Sequence, residues 1–402
     1  MTPGVKRWHD ALTARVWRRI LVLALCAAPL VAGIASRFER GSHWFADFDA
    51  VACAGERLEA GLPIYVKVAE CPGMYPSGYV YPPHVAQGFA WLSGWLGDEA
   101  WRGVYLAVCA ASVLFLMWAA FLRRETPGGF WDRIPAFALI TGSTIYWANI
   151  ALPLHALICL SALVAHRRPW LFALALAAVA ALKPVYLTYA LVLMVLPTPL
   201  WRRLLMTVAA AGLGLAPTIA FTLTGGELVG QWREALEFYV YDVQPGDGFF
   251  GWLGLLGVDG RGVGGIAGWL LYAGLMSAAA MIVAACSGMS AQDRVWLGVG
   301  VGALVNPRLS PNDVIPLAIL VGSVIAAARM GNIGDRTRRW IVGVTAGACC
   351  IGGLGNSLDA GDYAPKLFTL VASVALTWLA AEVLRREPER LWPDLGLNRR
   401  AL

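Results

Sequence analysis

Two aspartates, Asp47 and Asp49, stand two residues apart in a polar stretch, residues 43–84, of a chain that is mostly apolar. Burial near an apolar surface raises the pKa of a carboxylate, and a base with a raised pKa accepts a proton from a hydroxyl group more readily. An aspartate here is therefore a candidate general base. The alternative is structural, because aspartate is favoured at helix starts and residues 48–60 predict an amphipathic helix.

The same stretch ends in a cluster of ring-bearing side chains, Tyr75, Tyr79, Tyr81 and His84. These residues offer aromatic faces and polar groups suited to stacking against a sugar and binding its hydroxyls. They are equally suited to the aromatic belt that membrane proteins place at the lipid–water interface. We assign them to substrate binding, and the belt remains the alternative.

Lys183 lies between an apolar run and Pro184, with no other charge near it in sequence. A cation in such a position is costly unless it is paired or hydrated, so it is a candidate for binding an anion. Pro184 frees a backbone carbonyl, which fits a helix end that lines a cavity. The alternative is a lysine that extends to the outer lipid headgroups.

Residues 306–313 read Asn-Pro-Arg-Leu-Ser-Pro-Asn-Asp, and their two prolines forbid a continuous helix. Arg308 carries a fixed guanidinium charge suited to a phosphate, and Asp313 is its candidate partner. We assign Asn312, Asp313 and Asn149, which lies in the polar turn at 147–150, to substrate binding. The alternative for 306–313 is a loop with a surface ion pair, which contributes little energy.

The composition indicates which elements position these residues. The 402 residues are 58% hydrophobic and only 14% charged, with 18 Trp and a mean hydropathy of +0.61. Repeated long apolar runs predict an all-α polytopic membrane protein, because a backbone in lipid must satisfy its own hydrogen bonds. The ten-residue alternation of a membrane β-barrel is absent from the sequence.

We predict one integral membrane domain, residues 1–402, with about 12 transmembrane helices. Residues 84–97 are apolar but short, which favours an interfacial or re-entrant helix on the outer side. The predicted spans are 18–36, 99–122, 134–149, 150–165, 169–182, 184–198, 204–223, 263–285, 295–306, 313–328, 340–356 and 367–385.

Arginine-rich connections alternate with polar breaks, which predicts an inner-membrane protein with both termini in the cytoplasm. The basic N-terminus then reads as an uncleaved anchor. The same cytoplasmic charge explains the net charge of +6 without nucleic acid, for which no basic patch interleaved with aromatic residues exists. Every other polar break faces outward, including a first outer loop at 37–98 and a second at 224–262. An amphipathic portion at 227–241 predicts an acceptor groove or a lid.

The short cytoplasmic loops contain no phosphate-binding Gly-Lys-Ser/Thr motif, so we do not expect ATP or a sugar nucleotide as a direct substrate. The eight cysteines show no metal-binding spacing, and we predict neither a metal ion nor another cofactor. Cys53 and Cys71 share the first outer loop. They form a disulfide if that loop faces the periplasm, or they are free thiols.

These residues together carry a family resemblance. FADFDAVACAGERLEAGLPIY, followed by YVYPPH, resembles the first outer loop of the bacterial GT-C glycosyltransferases of family 87. That family includes polyprenol-phosphate-mannose-dependent mannosyltransferases such as the phosphatidylinositol-mannoside mannosyltransferases. Lys183-Pro184 resembles the family's Lys-Pro step, and residues 306–313 resemble its Ser-Pro-containing outer turn. The matching segments keep their order along the chain.

The resemblance implies a GT-C fold, a lipid-linked sugar donor at the outer leaflet, and Asp47 as the catalytic aspartate. Asp49, which we assign to substrate binding, falls where some relatives carry histidine. Asn312 and Asp313 stand where mannosyltransferase relatives often have histidine. The expected activity is transfer of one hexose or pentose from a polyprenyl-phosphate donor to a glycolipid or glycan acceptor. Lys183 and Arg308 would bind the donor phosphate.

Three other functions remain open from the sequence. A transporter or flippase of lipids or lipid-linked sugars shares the apolar bundle and the charge within the membrane, but the chain shows no internal repeat. A ligase that uses a polyprenyl-pyrophosphate donor would need more cations on the outer side. A purely structural membrane subunit would leave Lys183 and the outer aspartates without a role.

Overall fold

The structure is a computed structural model that describes residues 16–41, 43–140, 143–243, 245–357 and 363–396. Within these ranges the regular structure is helical, and the β-type pairing consists of one isolated bridge between Ala69 and Ser77. The predicted all-α class is therefore confirmed for the described part of the chain. The α-helices are α1 (Val16–Cys26), α2 (Ala28–Glu39), α3 (Ala46–Glu59), α4 (Pro83–Leu96), α5 (Asp98–Met117), α6 (Phe130–Arg133), α7 (Ser143–Trp147), α8 (Ala151–Ala165), α9 (Pro169–Leu182), α10 (Leu191–Met194), α11 (Leu200–Thr224), α12 (Glu227–Glu237), α13 (Phe249–Leu255), α14 (Gly262–Cys286), α15 (Ala291–Leu304), α16 (Leu317–Met330), α17 (Asp335–Ser357), α18 (Ala364–Arg386) and α19 (Leu391–Asp394).

Four helical segments of the described chain are long and apolar enough to cross a membrane, which gives this part of the protein the character of a membrane protein. They are α5 with the π-helical turn that continues it to Leu122, α11, α14 and α18. Helices α1 and α2 meet at a bend of 51° and form a fifth span if the pair crosses as one. By length and composition, the described chain has four or five candidate spans, fewer than the 12 predicted from the sequence.

Several predicted spans are shorter or more broken than the sequence suggested. Residues 134–149 do not form one helix, so that prediction is wrong: a 3₁₀ segment, Ile134–Leu139, ends at the extended Ile140 and precedes α7. Residues 184–198 form a 3₁₀ turn, Pro184–Ala190, and the single turn α10. Proline at the start of both segments removes a backbone donor and favours the tighter turn. The short helix predicted at 84–97 is confirmed as α4.

The short helices pack at the centre, where α15 is buried from Val295 to Leu304. Its glycines let neighbouring backbones come close. A Cβ atom at Gly300 would lie 2.5 Å from the Cα of Leu320, and one at Gly302 would lie 2.8 Å from the ring of Tyr189. Such close approach favours packing between membrane helices, which gains little from the hydrophobic effect. This core fixes the turns that follow α9 and α15.

A second group of elements packs beside these central helices: α3, α4, the irregular segment 60–82 between them, and α12 with the π-helical segment Phe238–Val243. Helix α12 buries no residue completely. Its Trp232 donates from Nε1 to the carbonyl of Val80 at 3.1 Å, and the Tyr239 hydroxyl donates to the carbonyl of Lys67. The amphipathic stretch predicted at 227–241 therefore lies against the first polar loop.

Candidate active site

A cavity of about 530 Å³ lies where this second group of elements meets the turns after α9 and α15. It brings together seven of the residues assigned to the site from the sequence, although they come from five separate parts of the chain. These residues are Asp47, Tyr75, Tyr81, Asn149, Lys183, Arg308 and Asn312. The cavity is therefore the candidate active site.

Asp47 projects from the first turn of α3 and is held by Asn149. The Asn149 side chain donates from Nδ2 to Asp47 Oδ2 at 2.6 Å, and its Oδ1 accepts from the backbone N–H of Ala151 at 2.8 Å. The amide is thus fixed at the start of α8 and has one orientation relative to the carboxylate. One oxygen of Asp47 is engaged by Asn149, and Oδ1 has no hydrogen bond within the described chain.

Backbone strain is concentrated beside this pair. Phe45 and Ala148 are the only non-glycine residues of the described chain with a positive φ, 68° and 48°. Phe45 lies two residues before Asp47, Ala148 directly precedes Asn149, and the Phe45 N–H donates to the carbonyl of Tyr146 at 3.0 Å. A left-handed non-glycine residue costs roughly 1–2 kcal/mol, so the surrounding packing must hold both corners in place.

The helix-cap alternative for Asp47 does not describe this geometry. The N-cap of α3 is Phe45, which makes no side-chain capping bond, and Asp47 is the second residue of the helix. A carboxylate in the first turn still interacts favourably with the helix dipole. Its hydrogen bond, however, goes across the cavity to Asn149 rather than to the helix backbone.

Burial raises the pKa of the Asp47 carboxyl group above its usual value. The hydrogen bond from Asn149 and the positive charges of Lys183 and Arg308 act in the opposite direction without cancelling the effect of burial. A carboxylate with a raised pKa that still ionises is a more effective proton acceptor than an exposed aspartate. The site can therefore supply a general base.

Three cationic side chains line the same cavity: Lys67, Lys183 and Arg308. The Lys183 ammonium donates to the hydroxyl of Tyr186 at 3.4 Å. The Arg308 guanidinium makes no hydrogen bond or ion pair to any described residue, and its backbone N–H donates to Asn306 Oδ1 at 3.0 Å. Asp47 is the one carboxylate among the described residues of the lining, so the cavity is suited to an anionic group such as a phosphate.

A fully buried network lies behind Lys183 and is centred on Asp313. Asp313 Oδ1 accepts from His155 Nε2 and from the Tyr186 hydroxyl, both at 2.7 Å. Its Oδ2 accepts from the backbone N–H and the hydroxyl of Ser310, at 2.9 and 2.8 Å. The carboxylate fixes the His155 tautomer, so Nδ1 accepts from the Tyr189 hydroxyl at 2.7 Å.

This network changes the role expected for Asp313. The ion pair predicted between Arg308 and Asp313 is absent from the described chain, because Asp313 pairs with His155 instead. Asp313 is completely buried and does not line the cavity. The Tyr186 hydroxyl lies between the Asp313 carboxylate and the Lys183 ammonium. The negative charge of Asp313 favours the charged form of the lysine in a poorly solvated place.

Three other predicted site residues also lie outside the cavity lining. Asp49 is buried, pairs with Arg102 at 3.2 Å and accepts from the backbone N–H of Tyr75 at 3.1 Å. Tyr79 donates to the carbonyl of Pro82 at 2.6 Å and accepts from the N–H of Ala86 at 3.0 Å. His84 Nε2 donates to the carbonyl of Ala181 at 2.7 Å. These contacts join α3 to α5 and to the segment 60–82, that segment to α4, and α4 to α9.

Several residues at or behind the cavity were not expected from the sequence. Lys67 and Trp147 line it, and His155, Tyr186 and Tyr189 form the buried network. Tyr239, which also lines the cavity, belongs to the stretch 227–241 predicted to form an acceptor groove or a lid. His155 gave a usable signal, because the apolar run 151–165 contains no other His, Lys, Arg, Asp or Glu residue. Tyr186 also follows Lys183 at helical spacing. Nothing local marks Lys67 as different from other loop lysines.

Cys53 of α3 and Cys71 of the segment 60–82 form a disulfide, with their Cα atoms 5.6 Å apart. The sequence left a disulfide and two free thiols as alternatives, and the structure has the disulfide. It joins the helix that carries Asp47 to the segment that supplies Lys67, Tyr75 and Tyr81 to the cavity.

We expect replacement of both bridge cysteines by serine to lower the free energy of unfolding by about 3 kcal/mol, because the bridge closes a chain segment with a sequence separation of 18. Thermal unfolding in detergent, with and without a reductant, measures the loss. Replacing the free, exposed Cys350 by serine is the matched control. A melting temperature that is unaffected by reduction would contradict a structural bridge.

A second, apolar cavity of about 580 Å³ lies between α13, α17 and α18. Its lining includes Phe249, Trp252 and Leu370. Asp247, two residues before Phe249, donates its backbone N–H to the carbonyl of Leu309 at 2.7 Å. The short segment before α13 therefore connects the wall of the apolar cavity to the loop that carries Arg308.

Comparison with known proteins adds no relative: no family model, no curated protein and no solved structure matches this chain. The described residues contain no group of three or more His, Cys, Asp or Glu side chains placed to hold a metal ion.

Proposed function

We propose that this protein is a membrane glycosyltransferase similar to the GT-C enzymes of family 87. It transfers one hexose or pentose from a polyprenyl-phosphate donor to a glycolipid or glycan acceptor on the outer face of the bacterial inner membrane. One observation carries the proposal: Asp47, oriented by Asn149, shares a single cavity with Lys183 and Arg308. A base and a phosphate site in one cavity match transfer from a phosphate-linked donor.

The reaction is a direct displacement. Asp47 takes the proton of an acceptor hydroxyl, whose oxygen attacks the anomeric carbon of the donor with inversion. The bond from the anomeric carbon to the phosphate oxygen breaks, and polyprenyl phosphate leaves with the electron pair. Lys183 and Arg308 stabilise the charge that develops on the phosphate. Phosphate is a good leaving group, so no strong general acid is required.

The surroundings of the cavity support this assignment. The Cys53–Cys71 bridge is typical of an oxidising compartment, which favours an outward-facing first loop. The apolar cavity beside α13 offers a surface for a hydrocarbon chain near the loop that carries Arg308. Both features agree with a donor that is bound from the outer leaflet.

A second candidate function follows from Lys67. This third cation in the cavity is the kind of residue that a ligase would use for a pyrophosphate-linked donor. A donor assay therefore needs to include both carrier types.

Purified protein in lipid is the test of the proposed function. Radiolabelled polyprenyl-phosphate mannose, glucose and arabinose, and a polyprenyl-pyrophosphate glycan, are offered together with a total lipid extract of the source. Transfer from one of the phosphate donors is expected. Transfer from the pyrophosphate donor alone would favour the ligase. If the folded protein transfers from neither, the enzyme assignment is wrong, and a lipid flipping assay tests the transporter.

We expect the transfer rate to fall on acidification, with a midpoint above the usual aspartate pKa of about 3.9. Burial raises the pKa of Asp47, and protonation occupies the electron pair with which the carboxylate takes the proton of the substrate hydroxyl. The pH dependence of kcat/KM measures this midpoint, and a donor-binding curve over the same range is the control. A rate that is constant down to the usual aspartate pKa would contradict a buried base.

A further inference from the structure

Trp147 is a cavity residue that the proposed reaction does not yet use. Its indole ring lies in the lining beside Asn149, and it is partly exposed there. Its Nε1–H makes no hydrogen bond to any described residue. The side chain therefore offers the cavity both an apolar surface and an unused donor.

The ring is held rigidly by its neighbours. Tyr146 contacts it edge-on, with ring centroids 5.2 Å apart and an angle of 77°, and Tyr75 does so at 6.3 Å and 65°. Tyr146 is itself packed against Trp44 at 4.8 Å and against the Arg37 guanidinium at 4.5 Å. Neither tyrosine ring stacks parallel to the indole. The two contacts hold the indole ring by its edges and do not stack on its face.

The backbone links this ring to the base. Ala148, in its left-handed conformation, separates Trp147 from Asn149, and both flanking side chains reach the same cavity. The buried carbonyl of Ala148 accepts the Tyr105 hydroxyl at 2.9 Å, which holds the corner in place. The position of the indole relative to Asp47 is thus set by one rigid corner.

We infer that Trp147 is the platform on which the sugar ring of the donor stacks, an inference that rests on the proposed function. The C–H-rich face of a pyranose or furanose packs against an indole, and a sugar hydroxyl can accept from Nε1–H. Lys183 and Arg308 can bind the phosphate of either carrier, and their charge favours the bare monoester, which is more negative than the sugar-bearing diester. A contact to the sugar is one that only the loaded carrier can make, so Trp147 would be the residue that recognises the loaded carrier.

Affinity measurements separate the contribution of the sugar contact from that of the phosphate contact. The probes are polyprenyl-phosphate mannose, glucose and arabinose, and bare polyprenyl phosphate, titrated into the protein in lipid nanodiscs. We expect Trp147→Leu to bind one loaded carrier roughly 10-fold more weakly than the wild type does, as the loss of a well-placed aromatic contact allows. Its affinity for bare polyprenyl phosphate should stay at the wild-type value. Trp147→Phe, with a smaller ring, should keep part of the affinity for the loaded carrier.

Trp91→Leu is the matched control, because Trp91 is an exposed tryptophan of α4 outside the cavity lining. A Trp147→Leu protein that binds every loaded carrier as tightly as the wild type does would overturn the inference alone. Equal loss of both affinities in the leucine and phenylalanine variants would overturn it too, and would indicate a structural residue. A folded wild type that binds no carrier contradicts the proposed function, and the inference falls with it.

Discussion

Asp47→Asn is expected to reduce sugar transfer by about 10³-fold while leaving the protein folded, because a positioned general base typically contributes about 10²–10⁴ to the rate. The asparagine keeps the size of the side chain, and its carbonyl oxygen can still accept from Asn149 Nδ2. The asparagine amide cannot take the proton of the substrate hydroxyl. The loss should therefore appear in kcat with donor affinity almost unchanged.

The same substitution should not lower stability at neutral pH. The folded-state pKa of Asp47 is raised by burial, so the folded protein binds this proton more tightly than the unfolded chain. The free energy of unfolding therefore falls as pH rises from the usual aspartate pKa through the raised value. A neutral asparagine avoids this loss, so the variant should melt at or above the wild-type temperature.

Asp49→Asn is the informative comparison, since it changes the neighbouring carboxylate in the same helix. Asp49 is buried and pairs with Arg102, and its loss should lower the melting temperature instead of the turnover of folded protein. Wild-type turnover in Asp47→Asn would remove the assignment of the base. Loss of turnover only in Asp49→Asn would transfer that role to Asp49.

Asp313→Asn should produce the largest loss of stability, about 3–5 kcal/mol, because it removes one charge from a buried, hydrogen-bonded set. The carboxylate accepts from His155, Tyr186 and Ser310, and an asparagine amide cannot accept at both oxygen positions. Lys183 also loses the negative charge that supports its own. We therefore expect weaker binding of polyprenyl phosphate together with the lower stability.

Thermal unfolding and titration with polyprenyl phosphate measure these two effects. Tyr189→Phe removes a single hydroxyl donor to His155 and should cost about 1 kcal/mol. Asp335→Asn, at an exposed carboxylate, should change the free energy of unfolding by less than about 0.5 kcal/mol. If Asp313→Asn melted like wild type and bound the carrier equally well, the network would have neither role.

The long apolar helices and the main candidates for the site can be predicted from the sequence. The segments predicted at 99–122, 169–182 and 263–285 are helical, as Asp98–Leu122, Pro169–Leu182 and Gly262–Cys286. Hydrophobic length is a local property, so it can be read without knowing what packs against it. An isolated charge in apolar surroundings is equally local, which is why the sequence is sufficient to mark Lys183 as a candidate.

Which of these residues meet depends on the tertiary packing. Asp47 and Asp49 are two residues apart in the same helical turn, yet one lines the cavity with Asn149 and the other is buried against Arg102. Asp313 accepts from His155 across 158 residues of chain, in place of the nearby Arg308. Side-chain direction on a helix and contacts between distant segments depend on packing, which no local pattern contains. The strained corner at Ala148 and the position of the Trp147 ring likewise exist only once the bundle holds them.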